Sequence, residues 1–383
     1  MRYSLLEEWI SEDDRERVVR NLMALRAQLD AEVPPKNVES DLLLATWNIR
    51  DLGKPKTQRR GWGERAPESH FYIAEVLSRF DFIAVQEVNE LPEWEKVTTI
   101  MGWSWDWIAT DVTEGTGGNG ERLTYLYDRR KVGFRNIAGE VVLPGNLLIT
   151  ANVEPKPGDQ EIIEKEVESE GTVGKQFRRT PFTAIFQSAW FKFEICTVHI
   201  YYGTESGNPL KERIAEIRRI VEFLGKRAER AIAEGRSVIV LGDMNIVSRK
   251  HKTMEALLST GFEVPPPLRT TPPTNAKEDK FYDQIAFRTR AGDLRYLETE
   301  EEGAEARAGV LPIFKSVYRP DQFEEFRSQV EESGNANLEE NEKDLEAYYL
   351  DWRTYQFSDH YPLWVRLKVN DSENYLKRLA GDD

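Results

Sequence analysis

Short apolar runs that break off into polar residues recur along most of the chain, and this pattern constrains the fold more than any other feature. Eight runs have the length and the β-branched and aromatic content of buried strands: LLLATWNI (42–49), FIAVQEV (82–88), RLTYLYD (122–128), PFTAIFQSAW (181–190), KFEICTVHI (192–200), SVIVLGD (237–243), FYDQIAF (281–287) and YPLWVRLKV (361–369). Between KFEICTVHI and SVIVLGD lies one long amphipathic helix, whose apolar face carries Ile214, Ile217, Val221 and Leu224. Strands with few alternating helices predict an α/β (α+β) protein in which helices flank two packed sheets.

The segments outside these runs predict the domain organisation. Residues 1–39 carry Leu, Val and Ile at helical spacing and stop at Pro34-Pro35, which indicates an N-terminal helical extension. Residues 40–370 are expected to form the main domain, and 371–383 a C-terminal tail. Three polar stretches bury little apolar area and are expected to be surface loops or insertions: 154–176, 263–280 and 296–347. Within the last of these, GVLPIFKSVYRPDQF (309–323) is apolar enough to pack down.

Composition excludes several classes of protein. Hydrophobic residues make up 40% of the 383, but no run of about 18 apolar residues occurs, so we expect no membrane span. The first residues lack the basic segment, apolar stretch and cleavage site of a signal peptide. Cys196 is the only cysteine and lies within an apolar run. We therefore expect a buried thiol, no internal disulfide and a cytoplasmic location.

The net charge limits how the chain can bind a polyanion. Lys and Arg number 52 against 67 Asp and Glu, for a net charge of −15. Such acidity argues against tight, metal-free coating of nucleic acid, because that binding rests on many basic contacts to phosphate. An enzyme that meets phosphate through a metal ion and a few arginines need not be basic. The sequence predicts no oligomeric state.

Polar residues that can act in catalysis or bind a metal ion lie where the strand-like runs end. They are Asn48, Glu87, His199, Asp243 with Asn245, Asp283, and Asp359 with His360. Taken singly, each is typical of a turn or an exposed strand end. Together they form a set of carboxylates, carboxamides and two histidines, which predicts an active site.

This set favours phosphoryl chemistry with a hard cation. Oxygen ligands such as Glu87, Asp359 and the Asn48 carbonyl suit Mg²⁺, which retains waters and shares itself with substrate phosphate. No cysteine cluster or paired-histidine spacing indicates zinc. In-line attack on a phosphodiester needs a base and an acid, which His199 and His360 could supply near neutral pH. The other two histidines, His70 and His251, are interpreted as ordinary surface residues.

The order of these motifs resembles a known family. It reads TWNIRDLG, FDFIAVQEV, ERLTYLYDRRKV, FRRTPFTAIF, CTVHI, VLGDMN, FYDQI and FSDHYPL. This order is similar to the endonuclease/exonuclease/phosphatase superfamily, and is closest to its deoxyribonuclease I-like branch, over most of residues 41–369. The resemblance implies a four-layer α/β/β/α sandwich, in which two mostly antiparallel sheets face each other with helices outside.

The resemblance also implies roles for the matched positions. The metal-site residues would be Asn48 and Glu87, with Asp359 nearby, holding Mg²⁺ or its substitute Mn²⁺. Asp243 and Asn245 match the pair that holds the metal-bound phosphate and the attacking water. His360 resembles one catalytic histidine, oriented by Asp283, and His199 the second, oriented by Glu121. Arg50 and Arg179 resemble positions that contact DNA phosphates.

Two departures from the secreted deoxyribonucleases bear on the substrate. This chain cannot form their disulfides, and TGGNGER, just before the strand at 122–128, lacks the tyrosine that those enzymes press into the minor groove. His199 disfavours the abasic-site endonuclease branch, but not sphingomyelinases or inositol-phosphate phosphatases. WSWDW (103–107) is the only candidate membrane-binding cluster, and it is interpreted as a core strand.

The leading hypothesis is therefore a metal-dependent nuclease acting on DNA, or on RNA, without a membrane partner. Its candidate phosphate contacts are Arg50, Arg59, Arg60, Arg179 and Arg249. One alternative is an enzyme of the same fold that acts on a phospholipid, an inositol phosphate or a small phosphodiester. The other is a catalytically inactive binding module, which the complete set of matched residues disfavours.

Overall fold

A computed structural model describes residues 1–54, 62–112, 120–145, 148–149, 175–290, 307–333 and 342–381. Its described strands form two sheets, called here the first sheet, in the order β10-β11-β1-β2-β4-β3, and the second sheet, in the order β5-β6-β7-β8-β9. Neighbouring strands are antiparallel except β1 with β2 and β7 with β8. The strands are β1 Asp41–Leu52, β2 Phe82–Val88, β3 Trp105–Ala109, β4 Arg122–Asp128, β5 Gly133–Glu140, β6 Phe182–Ser188, β7 Phe191–His199, β8 Ser237–Asp243, β9 Asp283–Arg288, β10 Ala308–Val310 and β11 Leu363–Lys368.

All eight strands predicted from apolar runs are present. Three others, β3, β5 and β10, give weaker sequence signals because they lie at sheet edges, where few side chains are buried. The interpretation of WSWDW as a core strand is wrong in part. The strand begins only at Trp105, its residues are largely half-buried, and Trp103 is 75% exposed.

The space between the sheets is filled by side chains from both inner faces. Leu42 and Leu44 of β1 point into this space, whereas Leu43 and Ala45 point to the opposite face. Such alternation is what a strand covered on both sides requires. Phe82 contacts the rings of Phe186 and Phe193 across the gap, at centroid distances of 4.8 and 5.5 Å.

Helices cover the outer faces of the two sheets. The described helices are Leu6–Trp9, Glu12–Glu32, Pro67–Leu77, Leu91–Met101, Gly207–Ala233, Lys252–Leu258, Phe323–Glu332, Glu342–Gln356 and Ser372–Ala380. Trp47 and Trp364 of the first sheet share a buried cluster with Leu22, Leu25 and Leu29 of the second helix. The long helix predicted between β7 and β8 spans Gly207–Ala233 and packs Ile217, Val221 and Leu224 into the core cluster of the second sheet. The fold is thus the predicted α/β/β/α sandwich.

Some polar stretches are more deeply packed than their composition suggests. Phe326 and Val330 are buried within the helix Phe323–Glu332, so this part of 296–347 is not a surface insertion. Leu268 and Thr274, in the stretch 263–280, are buried as well. Most of 154–176, together with 296–306 and 334–341, lies outside the described residues.

Cys196 is buried and unpaired, as expected. Across the part of the chain that the structure describes, no helix is both long and apolar enough to cross a membrane.

Candidate active site

The site lies at one end of the sandwich because the strands that carry its residues end there. On the second sheet, His199 is in register with Asp243, and Asp243 with Asp283, so three neighbouring strands present these side chains on one face. Gly242 allows this close spacing. Its φ is +130°, and a Cβ there would lie 2.1 Å from the backbone oxygen of Val198.

The first sheet supplies the facing half of the site. Asn48 lies near the carboxyl end of β1 and Glu87 near that of β2, and these two strands are parallel neighbours. Glu121 directly precedes β4, and His360 lies just before β11. The carboxyl ends of the parallel strands β1 and β2 meet the amino ends of their antiparallel neighbours β11 and β4 at one edge of the sheet, which places the four side chains together.

Each histidine pairs with a carboxylate of the opposite sheet. His199 Nδ1 lies 2.9 Å from Glu121, and His360 Nδ1 lies 2.8 Å from Asp283 Oδ2. Both pairs are buried. The remaining nitrogens point to one atom, because His199 Nε2 and His360 Nε2 lie 3.4 and 3.6 Å from Asp243 Oδ2. The carboxylates fix both rings with Nε2 toward a common space.

Asn48 is placed beside the carboxylates through its amide nitrogen. Nδ2 donates to Glu87 Oε1 at 3.0 Å and to Asp243 Oδ2 at 3.1 Å. Its oxygen accepts from the backbone N–H of Arg50 at 2.9 Å. The structure therefore brings Asn48 to the site in an orientation that differs from the expected carbonyl ligand, since the carbonyl is turned to the backbone.

Asn245 acts within the loop after β8. Its backbone N–H donates to Asp243 Oδ1 at 3.0 Å, and its Nδ2 donates to the Ile200 carbonyl at 2.6 Å. Its φ is +51°, a left-handed conformation that asparagine tolerates better than most residues. Asn245 thus joins the loops after β7 and β8 and orients Asp243.

Asp359 and Arg50 form the more exposed edge of the site. Arg50 Nη1 lies 3.4 Å from Asp359 Oδ2, and the Asp359 side chain is 41% exposed. The guanidinium carbon of Arg50 lies 3.6 Å from the ring centre of Tyr355. Trp62 stacks on the same tyrosine and on Tyr348, with centroid distances of 4.7 and 4.8 Å. This aromatic column holds Arg50 beside Asp359.

The other arginines predicted to contact phosphate differ in their surroundings. Arg179 Nε lies 2.6 Å from Glu121 Oε1 and its side chain is largely buried, so it lies beside the His199–Glu121 pair. Arg249 donates to the Thr271 carbonyl and stacks on Phe281. Arg59 and Arg60 lie outside the described residues.

The two histidines differ in electrostatic environment. Burial, together with the positive charge of Arg179, lowers the pKa of His199 to about 4. Burial also acts on His360, but the negative charges of Asp283 and Asp243 outweigh it and raise the pKa well above its ordinary value. At neutral pH, His360 therefore carries a proton and His199 has a free nitrogen lone pair.

The carboxylates of the first sheet are crowded. Burial raises the pKa of Glu121 to about 8, and the nearby charges of Asp243 and Asp51 act in the same direction. Burial, with the charge of Asp51, likewise raises the pKa of Glu87. Such mutual repulsion is relieved by a bound cation.

The donor set fits a divalent metal ion. Two groups have ligand atoms within 4.8 Å of one another: Glu87, Glu121 and His199, and Asp243, Asp283 and His360. Negative charge is in excess, and carboxylate oxygens predominate, which is the chemistry that Mg²⁺ or Mn²⁺ prefers.

Sequence reasoning did not single out two residues that shape the site. Ser358 Oγ donates to the backbone carbonyl of Asn48 at 2.6 Å and accepts from the His360 N–H at 2.9 Å, so it joins β1 to the loop before β11. Asp51 donates its N–H to Glu87 Oε2 at 2.8 Å. Ser358 stands next to two matched positions, and this adjacency was the available signal.

The surface assignment of His70 is wrong. His70 is buried, and its Nε2 lies 2.7 Å from Glu93 Oε2. The helix Pro67–Leu77 is buried on nearly every side, so a histidine on it needs a polar partner. His251 is half-buried and caps the helix Lys252–Leu258 by accepting from the Thr253 N–H.

No protein-family model matches the chain. A protein named deoxyribonuclease from Thioalkalivibrio sp. (strain K90mix) is 25% identical over 218 residues, which cover 55% of this chain and 48% of that protein. This chain thus spans about half the length of the curated relative it matches.

Three solved structures are similar in fold. An endonuclease/exonuclease/phosphatase family protein from Bacteroides thetaiotaomicron is 16% identical with a TM-score of 0.46, and covers 87% of this chain and 99% of that one. A mannosyl-6-phosphatase of the same organism is 16% identical with a TM-score of 0.48, at 85% and 99% coverage. TDP2 of D. rerio, in complex with a single-strand DNA product, is 12% identical with a TM-score of 0.46, at 85% and 98% coverage. At these identities the likeness concerns the fold alone.

Proposed function

We propose that the protein is a magnesium-dependent phosphodiesterase that hydrolyses DNA, with Mn²⁺ able to substitute. One observation carries the proposal: the Nε2 atoms of His199 and His360 converge on Asp243 Oδ2, at 3.4 and 3.6 Å. Two imidazoles that face one small space, each held by a buried carboxylate, form a base and an acid for the same reacting group.

The residues of the chain would divide the chemistry as follows. One bond forms between the oxygen of water and phosphorus, and one ester P–O bond breaks. The histidine without a proton accepts one from the water, and the protonated histidine gives one to the departing oxygen, so protons balance over the reaction. Glu121 and Asp283 hold the two rings in position, and Asn245 orients Asp243.

Metal binding would fall to the carboxylates on the first-sheet side of the site. Glu87 and Asp359 are proposed to hold the ion, with Asn48 positioning Glu87 through its amide nitrogen. A bound divalent ion neutralises charge on the phosphoryl oxygens. Arg50, fixed by Tyr355 beside Asp359, is proposed to contact a substrate phosphate at the exposed edge.

DNA is the proposed substrate on the evidence of arginine at this edge and of the deoxyribonuclease named among the relatives. A net charge of −15 means that the protein holds DNA through few contacts to phosphate. Salt weakens such contacts, so we expect nicking to decrease as the salt concentration rises.

The test is incubation of the full chain with plasmid, single-stranded DNA, RNA and sphingomyelin, each with Mg²⁺ and with excess chelator. Nicking of DNA that disappears with chelator supports the proposal. Cleavage in excess chelator would refute the metal assignment, and hydrolysis of sphingomyelin without nucleic acid would refute the substrate.

Two variants sharpen this test. Glu87→Gln should weaken metal binding and regain part of its activity at high Mg²⁺. His251→Ala is the matched control for the catalytic histidines, since His251 caps a helix on the outer layer and should be replaceable without loss of activity.

A further inference from the structure

Two tyrosines extend the site beyond His360. Tyr282 directly precedes Asp283, and its ring lies 5.6 Å from the His360 ring at an interplanar angle of 34°. Tyr202 follows His199 by three residues and meets Tyr282 edge-on, with centroids 5.8 Å apart and the planes at 76°. Both tyrosines are half-buried, so each keeps part of its surface open to solvent.

The ring of Tyr202 is held in place by a buried arginine. The guanidinium carbon of Arg213 lies 4.5 Å from its ring centre, and Arg213 is fully buried. Arg213 in turn donates to the carbonyls of Asn245, at 2.7 Å, and Thr204. The Tyr202 hydroxyl donates to Glu205 Oε1 at 2.9 Å. An aromatic ring fixed before any ligand arrives loses little freedom on binding, which favours affinity.

The charged groups around Tyr202 and Tyr282 are not available to bind a phosphate backbone. Arg213 donates to two backbone carbonyls, and Lys280 lies 2.6 Å from Glu205, so both cations already have partners. The chain as a whole has 67 acidic against 52 basic residues. Where electrostatic attraction to phosphate is weak, stacking on aromatic rings is the other general source of affinity for a nucleic-acid strand.

We propose that Tyr202 and Tyr282 form a stacking subsite for an unpaired nucleobase next to the scissile phosphate. This inference rests on the proposed function and narrows its substrate to single-stranded nucleic acid. Bases inside a duplex already stack on one another, so their faces cannot reach a side chain unless the strand opens. The enzyme is therefore selective for strands whose bases are free.

The first experiment uses three small diesters that release the same p-nitrophenolate. Thymidine 5′-(p-nitrophenyl) phosphate and thymidine 3′-(p-nitrophenyl) phosphate carry a base on either side of the phosphate, and methyl p-nitrophenyl phosphate carries none. We expect the full-length enzyme with Mg²⁺ to favour at least one thymidine ester in kcat/KM. Tyr202→Ala should lower the ratio of that ester to the methyl ester by roughly 5- to 100-fold, the span for one stacked base. Tyr202→Phe, which keeps the ring, should preserve the ratio.

Trp103→Ala is the matched control, because this exposed tryptophan precedes β3 at the opposite end of the first sheet and should leave all three rates unchanged. A ratio that Tyr202→Ala does not change overturns the subsite. So does a ratio that Tyr202→Phe lowers as much as Tyr202→Ala. These failures differ from failure of the proposed function, in which the unaltered enzyme hydrolyses neither these esters nor DNA.

The second experiment compares one oligonucleotide sequence as a single strand and as a duplex. We expect faster cleavage of the single strand, and a smaller preference in Tyr202→Ala than in the unaltered enzyme. Equal preference in the two proteins, or faster cleavage of the duplex by the unaltered enzyme, would overturn the proposal.

Discussion

Removing either of the proposed catalytic histidines, His199 or His360, should abolish most of the proposed activity, but the two removals should differ in their effect on stability. His199→Ala leaves Glu121 with a second partner, because Arg179 Nε lies 2.6 Å away. His360→Ala leaves Asp283 fully buried without its imidazole, and within the described part of the chain its Oδ1 already has no hydrogen-bond partner. His199→Ala therefore leaves Glu121 with a positively charged neighbour, whereas His360→Ala leaves Asp283 without its positively charged partner.

The magnitudes follow from this difference. Breaking a buried ion pair by removing one partner destabilises a protein by about 3–5 kcal/mol. We expect His360→Ala, which removes the positive charge beside Asp283, to approach that loss. His199→Ala should cost less, about 1–3 kcal/mol for a buried hydrogen bond, because His199 is uncharged at neutral pH and Arg179 still faces Glu121. Both should lower kcat by about 10²- to 10⁴-fold, the span for a positioned acid or base.

The assay combines urea unfolding at pH 7 with turnover of single-stranded DNA, in the presence of Mg²⁺ for turnover only. His360→Asn serves as the control for stability, because its amide can still donate to Asp283 while supplying no acid or base. It should lie closer to the unaltered protein in unfolding free energy but remain inactive. Equal destabilisation by His199→Ala and His360→Ala, or normal turnover in either, would refute this account of the site.

Three further predictions test other features. Activity should rise as pH increases through about 4, where His199 loses its proton, and fall only well above the ordinary histidine range, where His360 loses its own; a pH–rate profile without both limbs contradicts this. Gly242→Ala should destabilise the protein by about 3 kcal/mol or more, because the new Cβ meets the Val198 carbonyl at a φ of +130°; an unchanged Tm would contradict it. Phe326→Ala should cost about 3–5 kcal/mol in urea unfolding, whereas a true surface insertion would tolerate the change within about 0.5 kcal/mol.

The sequence predicted the two-sheet architecture because buried strands leave a local signal. FIAVQEV, for example, becomes β2 with identical bounds, since almost all of its side chains are buried. β5 is mostly exposed and carries no such signal. The acidic composition of Phe323–Glu332 concealed its buried residues, because three apolar side chains, Phe323, Phe326 and Val330, are enough to dock a charged helix.

The sequence indicated which residues come together at the candidate site, but not how their side chains are oriented. His199, Asp243 and Asp283 stand at the ends of recognisable runs, and strand register brings them side by side. The direction of the Asn48 amide depends instead on carboxylates 39 and 195 residues away. The placement of Arg50 likewise depends on Thr354, 304 residues away. No local pattern encodes contacts at such separations.

Because each histidine lies on one sheet and its carboxylate on the other, neither catalytic pair has a local precursor during folding. The partners are 78 and 77 residues apart in the chain, and they meet only when the sheets dock. Contacts between distant segments form slowly, since the chain loses the entropy of a long loop before the contact stabilises it. On refolding from urea, secondary structure measured by circular dichroism should therefore recover before the proposed nuclease activity does. The return of activity would then time the moment at which the two halves of the sandwich close on each other.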